Sequence, residues 1–213
     1  MFANRESAGR QLAQKLTDFK GENAVVLAIP RGGVGVAAEV AKELDLPLGL
    51  IIPRKIGAPG NPELAIGAVA GEGDTFLNEG LIKTLGVTED YLQNEISRQV
   101  GEIKRREEIY LQGHKQPDVQ GKIAIIVDDG IATGSTAIAA IRAIKKQDPE
   151  KVVLAVPVAP PDSKRLLEQE ADEVVILDVP AEFYAVGQFY ESFEQTTDEE
   201  VKSKISDNRS ANG

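Results

Sequence analysis

The sequence predicts an α/β domain whose parallel-sheet core carries helices on both faces, and three observations specify that class. Short β-branched and apolar runs recur at AVVLAI (24–29), LGLII (48–52), IAIIV (123–127), VVLAVPV (152–158) and EVVIL (173–177). They lack the alternation of a half-solvated strand, so both of their faces must be covered. Helical patterns separate most of them, as crossovers between parallel strands require. The chain has 213 residues, 42% of them hydrophobic, which is enough for one sizeable core.

Taken in order, residues 5–19 set Ala8, Leu12, Leu16 and Phe19 at helical spacing. The 24–29 strand breaks at PRGG, and a helix is expected over 34–44. The 48–52 strand breaks at PRKIGAPGNPE, whose Pro and Gly density between Pro53 and Pro62 predicts a long irregular loop able to move. AIGAVAGEGDTFL (65–77) reads as a β-ribbon turning at Gly71–Asp74. A charged helix follows over 88–112, with TED as its start signal and Tyr91, Ile96, Val100, Ile103 and Tyr110 as its apolar positions. Further helices are expected near 134–146 and 161–169. The whole reads as a single domain over 1–205, with a long helical insertion at about 78–118 and a small C-terminal hood at about 179–205. The composition of SDNRSANG (206–213) predicts a disordered tail.

Composition narrows the function. Cysteine is absent, which removes disulfides, thiolate metal sites and thiol catalysis and suits a reducing compartment. The N-terminus is charged and amphipathic without an apolar signal region, and no apolar run approaches the roughly 18 residues of a membrane span. A soluble, cytoplasmic protein is expected. The net charge of −10 argues against a nucleic-acid surface, which needs clustered Lys and Arg. A small polyanion still fits wherever basic residues converge. The single histidine, His114, lies in a polar QGHKQ stretch and reads as surface.

In parallel sheets ligands bind beyond the carboxyl ends of strands, beside a reversal of strand order. PRGG, PRKIGAPGNPE and DDGIATGST all follow strands, so they should share one edge. In DDGIATGST, Gly130 and Gly134 permit positive φ, while Thr133, Ser135 and Thr136 offer hydroxyls beside free N–H groups at a helix start, a ready phosphate cradle. The loop lacks the Lys of a Walker A motif. Asp128 and Asp129 accept hydrogen bonds but donate none when ionised, which suits a vicinal diol, Mg²⁺ or both. A ribose 5-phosphate would satisfy the whole stretch. Arg31, Arg54 and Lys55 would focus positive charge at one place in an acidic chain.

IIVDDGIATGST resembles the phosphoribosyl pyrophosphate (PRPP) binding motif of type I phosphoribosyltransferases. PRGG looks like that family's pyrophosphate loop, whose peptide is often cis, with Arg31 and Gly32 as its contacts. PRKIGAPGNPE resembles the family's flexible catalytic loop and would bring Arg54 and Lys55 to the pyrophosphate. PAEFYAVGQFYESF (180–193) is similar to the hood of hypoxanthine-type members. It puts Tyr184 at the base-stacking position, Ala185 at a backbone contact to the base and Glu191 beside Asp128 and Asp129 as a metal-site acid. The resemblance implies a Mg²⁺-dependent pentosyltransferase, a homodimer, that passes the phosphoribosyl group of PRPP to a small-molecule acceptor. Its catalytic residues would be Asp128, Asp129, Arg54 and Lys55, and its 5-phosphate cradle Ala132, Thr133, Gly134, Ser135 and Thr136. Ala132 stands where 6-oxopurine enzymes carry an Asp, and no Lys in PVAPPDSK (157–164) occupies their base-reading position. Those departures leave the acceptor open and favour one alternative, a PRPP- or nucleotide-sensing regulator on the same fold.

Overall fold

A computed structural model of the protein describes residues 1–212. Helix α1 (Arg5–Lys15) leads to β1 (Ala24–Ala28), α2 (Gly33–Leu44) and β2 (Leu48–Leu50). A small sheet follows, made of β3 (Arg54–Ala58), β4 (Asn61–Ala70) and β5 (Asp74–Leu77), and then helices α3 (Glu79–Leu85) and α4 (Glu89–Leu111). The chain returns through β6 (Ile123–Val127), α5 (Ser135–Lys145), β7 (Lys151–Val158), α6 (Pro161–Glu170) and β8 (Glu173–Asp178), and ends in α7 (Asp198–Asn212). The main sheet is fully parallel in the order β2-β1-β6-β7-β8; the small sheet β3-β4-β5 is antiparallel.

Continuous apolar strands bury both faces, as their sequence requires. Val26, Ala28, Ile125 and Val127 face a core shared with α1, α2 and α7, while Val25, Leu27, Ala124 and Ile126 face one shared with α5 and α6. Each buried Val, Leu or Ile side chain among them contributes about 1.5–3 kcal/mol by leaving water. The N-caps of α1 and α4 are built as their sequences specify: Asn4 Oδ1 accepts from the Ser7 N–H at 2.8 Å, and Thr88 caps α4 through the Tyr91 N–H at 3.3 Å.

Two expectations are corrected. PRKIGAPGNPE is a β-hairpin rather than an irregular loop: Gly60 takes φ 73° at its turn, and the register shifts around Gly57, where a Cβ would lie 2.6 Å from the Pro62 carbonyl oxygen. Bulging at a glycine is how a ladder absorbs such residues. Residues 206–212 continue α7 instead of forming a tail; Gly213, the last residue of the expected tail, lies outside the described residues. Val201 and Ile205, four apart, are buried against the core, and one turn on, the Asn208 amide accepts from Leu48 N–H at 2.8 Å and donates to Leu46 O at 3.2 Å. Gln116 treats Leu50 alike, accepting from its N–H at 3.0 Å and donating to its carbonyl at 2.9 Å. Two side-chain amides thus fill the outer edge of β2.

Candidate active site

The chain runs from β1 outward to β2 and then crosses back beyond β1 to β6, so strand order reverses between β1 and β6. Their exits are neighbours: Ile29 N–H donates to Val127 O at 2.9 Å. From β1 the chain enters Pro30-Arg31-Gly32-Gly33, whose Pro30–Arg31 peptide is cis; from β6 it enters Asp128-Asp129. The turn and the acids are packed so closely that a Cβ at Gly32 would lie 1.9 Å from Asp129 Oδ2. At Gly33 it would lie 2.9 Å from Asp128 Cα.

The two carboxylates differ in their company. Asp128 Oδ1 accepts from the Asp129 N–H at 2.8 Å. Asp129 Oδ2 accepts from Arg5 Nε at 2.8 Å, and its carbonyl accepts from the Tyr190 hydroxyl at 2.5 Å. Arg5 also donates from Nη1 to Glu194 O at 2.7 Å and lies over the Phe193 ring, 3.9 Å from its centroid. Burial, reinforced by the charge of Asp129, pushes the Asp128 carboxyl well above its ordinary value. Burial also raises Asp129, against the pull of Arg5. Two acids so placed call for a shared proton or a cation.

Beyond them the loop is fixed by its backbone. Ile131 N–H donates to Val158 O at 2.9 Å, and Ser163 Oγ donates to Ala132 O at 2.5 Å. Gly134, at φ 84°, opens α5 without a side-chain cap. The first-turn N–H groups of a helix have no intrahelical acceptor, so those near Ser135 and Thr136 face outward beside exposed Ala132 and Thr133. An oxyanion is the natural complement there.

The cations are held by α4 and α7. Arg31 Nη1 lies 3.6 Å from Asp198 Oδ1, which also accepts from the Tyr110 hydroxyl at 2.9 Å. Arg54 Nε donates to Gln99 Oε1 at 3.0 Å. Burial, then the nearby Arg106, pushes the Arg54 guanidinium below its ordinary value, a sign of crowded positive charge. Gln99, Arg106 and Tyr110 share one face of α4, spaced by seven and four residues. Lys55, next along β3, is exposed.

Tyr184 is 86% exposed; its N–H and that of Ala185 donate to Gln188 Oε1 at 2.8 and 3.1 Å. The structure does not bring Glu191 to the aspartates. Tyr190 is extended and turns inward, so the next side chain points away, and Glu191 is exposed. No group of three or more His, Cys, Asp or Glu among the described residues is arranged to hold a metal ion. Asp128 and Asp129 alone still suit Mg²⁺, which takes one or two carboxylates and completes its shell with water and substrate oxygens. No helix among the described residues is long and apolar enough to cross a membrane.

This arrangement belongs to a known class: the family model of the phosphoribosyl transferase domain matches residues 3–191, and the chain is a member of that family. The Mycobacterium tuberculosis protein "Putative phosphoribosyl transferase Rv0571c" is 46% identical over 201 residues, 94% of this chain and 45% of the relative. The chain therefore spans less than half the length of that curated relative. The crystal structure of TT1426 from Thermus thermophilus is 40% identical, covers 96% of this chain and 97% of its own, and superposes with a TM-score of 0.82. A uracil phosphoribosyltransferase of Aquifex aeolicus is 38% identical over 78 residues, 35% of this chain and 37% of the relative.

Sequence reasoning missed Arg5, Tyr190 and Phe193 as part of this site. Arg5 meets Asp129 across 124 positions of sequence, a pairing that periodicity cannot reveal.

Proposed function

We propose that the chain takes PRPP as donor, passes its phosphoribosyl group to a nitrogenous base and releases pyrophosphate. One observation carries this reading: an acid pair and an uncapped helix start stand together at the strand-order reversal, against the PRGG turn. Breaking the bond at the anomeric carbon builds positive charge, which a carboxylate at the ribose diol offsets; Asp128 has that role. Residues 132–136 hold the 5-phosphate, so that remote binding energy positions the reacting carbon. Arg31, the Gly32 N–H, Arg54 and Lys55 receive the pyrophosphate. Mg²⁺, held by Asp128 and Asp129, would supply charge neutralisation on the departing group. The exposed hairpin tip, residues 59–64, is the part free to close over the crevice and exclude water, whose attack on PRPP competes. Tyr184 and Ala185 receive the base, and the uracil phosphoribosyltransferase among the relatives supports a base as acceptor.

The test has two stages. PRPP with Mg²⁺ should raise the melting temperature, by about 2.7 kcal/mol of stabilisation at a hundredfold excess over Kd; no shift at millimolar PRPP removes the donor assignment. Pyrophosphate release is then screened over purines, pyrimidines and nicotinate-like acids. A PRPP sensor without turnover is the second reading, favoured by the 86% exposure of Tyr184, which leaves the acceptor side unbuilt. Binding without release across all bases would select it.

A further inference from the structure

The acid pair already has a cation, and the chain supplies it. Arg5 and Asp129 are 13% and 14% exposed at their side chains, so this is an enclosed ion pair rather than a screened surface contact. The guanidinium is held on three sides: Nε to Asp129 Oδ2, Nη1 to Glu194 O, and its plane over Phe193. A side chain fixed this way has little rotamer freedom left to lose. Asp129 is equally confined, with Arg5 at Oδ2, the PRGG turn packed on the same oxygen and Tyr190 on its carbonyl. Asp128 is held only by its neighbour: its Oδ1 accepts from the Asp129 N–H, and its carboxyl shares a hydrogen bond with that of Asp129.

We infer that Arg5 is a positioning residue that serves as built-in counter-cation to the acid pair, so that the unliganded site carries at most one net negative charge and takes up a divalent metal only together with PRPP. The inference rests on the PRPP reading for its second half, but its first half concerns the unliganded protein alone. With Arg5 in place, a free divalent cation meets one carboxylate and a neighbouring positive charge, a poor site by coulombic count. PRPP changes the balance by bringing its own phosphate oxygens to the metal.

The experiment is Mn²⁺ binding to the unliganded protein, read by water-proton relaxation and by melting temperature, for wild type, Arg5→Gln, Arg5→Lys and Arg5→Gln combined with Asp129→Asn. Wild type and Arg5→Lys should bind no Mn²⁺ below about 10 mM, whereas Arg5→Gln should gain on the order of tenfold in affinity or more. The double variant, which restores the single charge, should lose that gain. Submillimolar Mn²⁺ binding by wild type without PRPP overturns the inference, as does a folded Arg5→Gln that binds no better than wild type. If Arg5→Gln does not fold, the wild-type titration decides alone. A protein that passes these tests yet shows no melting shift with PRPP and Mg²⁺ has lost the PRPP reading and kept the counter-cation.

Discussion

The corner where β6 passes into α5 is fastened to the rest of the molecule, while the neighbouring segment 180–185 is fastened chiefly to the turn that follows it. At the corner, Val158 holds Ile131, Ser163 holds Ala132, Arg5 and Tyr190 hold Asp129, and the PRGG turn leaves no room for a Cβ. Across from it, Gln188 ties Tyr184 and Ala185 to their own turn, Phe183 packs on Phe189 at 5.3 Å, and the Tyr184 ring stands in solvent. The side that reads as the donor's is preorganised, as charge stabilisation requires. The side that reads as the acceptor's is left to be completed by whatever binds.

The largest effect should come from breaking the fastened side at its acid. Asp128→Asn is expected to lower PRPP turnover, or PRPP and Mg²⁺ affinity if there is no turnover, by about 10²–10³-fold, measured by pyrophosphate release or calorimetry. The same variant should melt higher than wild type when unliganded, at about 2–4 °C for each kcal/mol of relieved strain between like charges. The sign follows from the raised carboxyl of Asp128. The folded state holds that proton more tightly than the unfolded chain does, so the contribution of Asp128 to wild-type stability is fully present only below the ordinary carboxylate range. It is lost as pH rises from there through the raised value. The melting advantage of Asp128→Asn should therefore grow with pH across that window; an advantage that shrinks would contradict the raised carboxyl.

Gly32→Ala comes next. Its Cβ must displace the Asp129 carboxylate or the turn, so a loss of about 1–3 kcal/mol in denaturant unfolding and loss of PRPP binding are expected together. Ser163→Ala should loosen the loop without removing any ligand-facing group, costing about 1 kcal/mol and raising the Kd for PRPP a few-fold. Tyr184→Ala should be the smallest in stability, within about 0.5 kcal/mol, because the ring contacts solvent. In an enzyme it should raise KM for the base with PRPP affinity unchanged; a loss of PRPP binding instead would erase the contrast between the two sides.

The fastened side was largely legible in the sequence and the open one was not. β6 occupies its anticipated residues because five apolar residues in a row leave a buried strand as the economical solution, and Gly134 opens α5 where the glycine pattern suggested. The hairpin was missed because Pro and Gly density usually means loop; here Pro53 precedes the strand, and Pro62 sits by the bulge near the turn. For α7 a signal was available: Val201, Ile205 and Asn208 form one stripe, but the polar residues around them outweighed it. Arg5 lies on no such stripe, and its place in the site could not be read from the sequence, since only tertiary folding brings α1 to the end of β6.

The amides of Asn208 and Gln116 on β2 bear on how copies of this chain can meet. An outer strand with free N–H and C=O groups is a template on which another strand can polymerise. Here the Leu46 carbonyl, the Leu48 N–H and both backbone groups of Leu50 are already spent on side chains of the same molecule. Growth of the sheet from one molecule into the next is blocked at that border, so any assembly that uses this border must be knitted from side chains rather than from backbone.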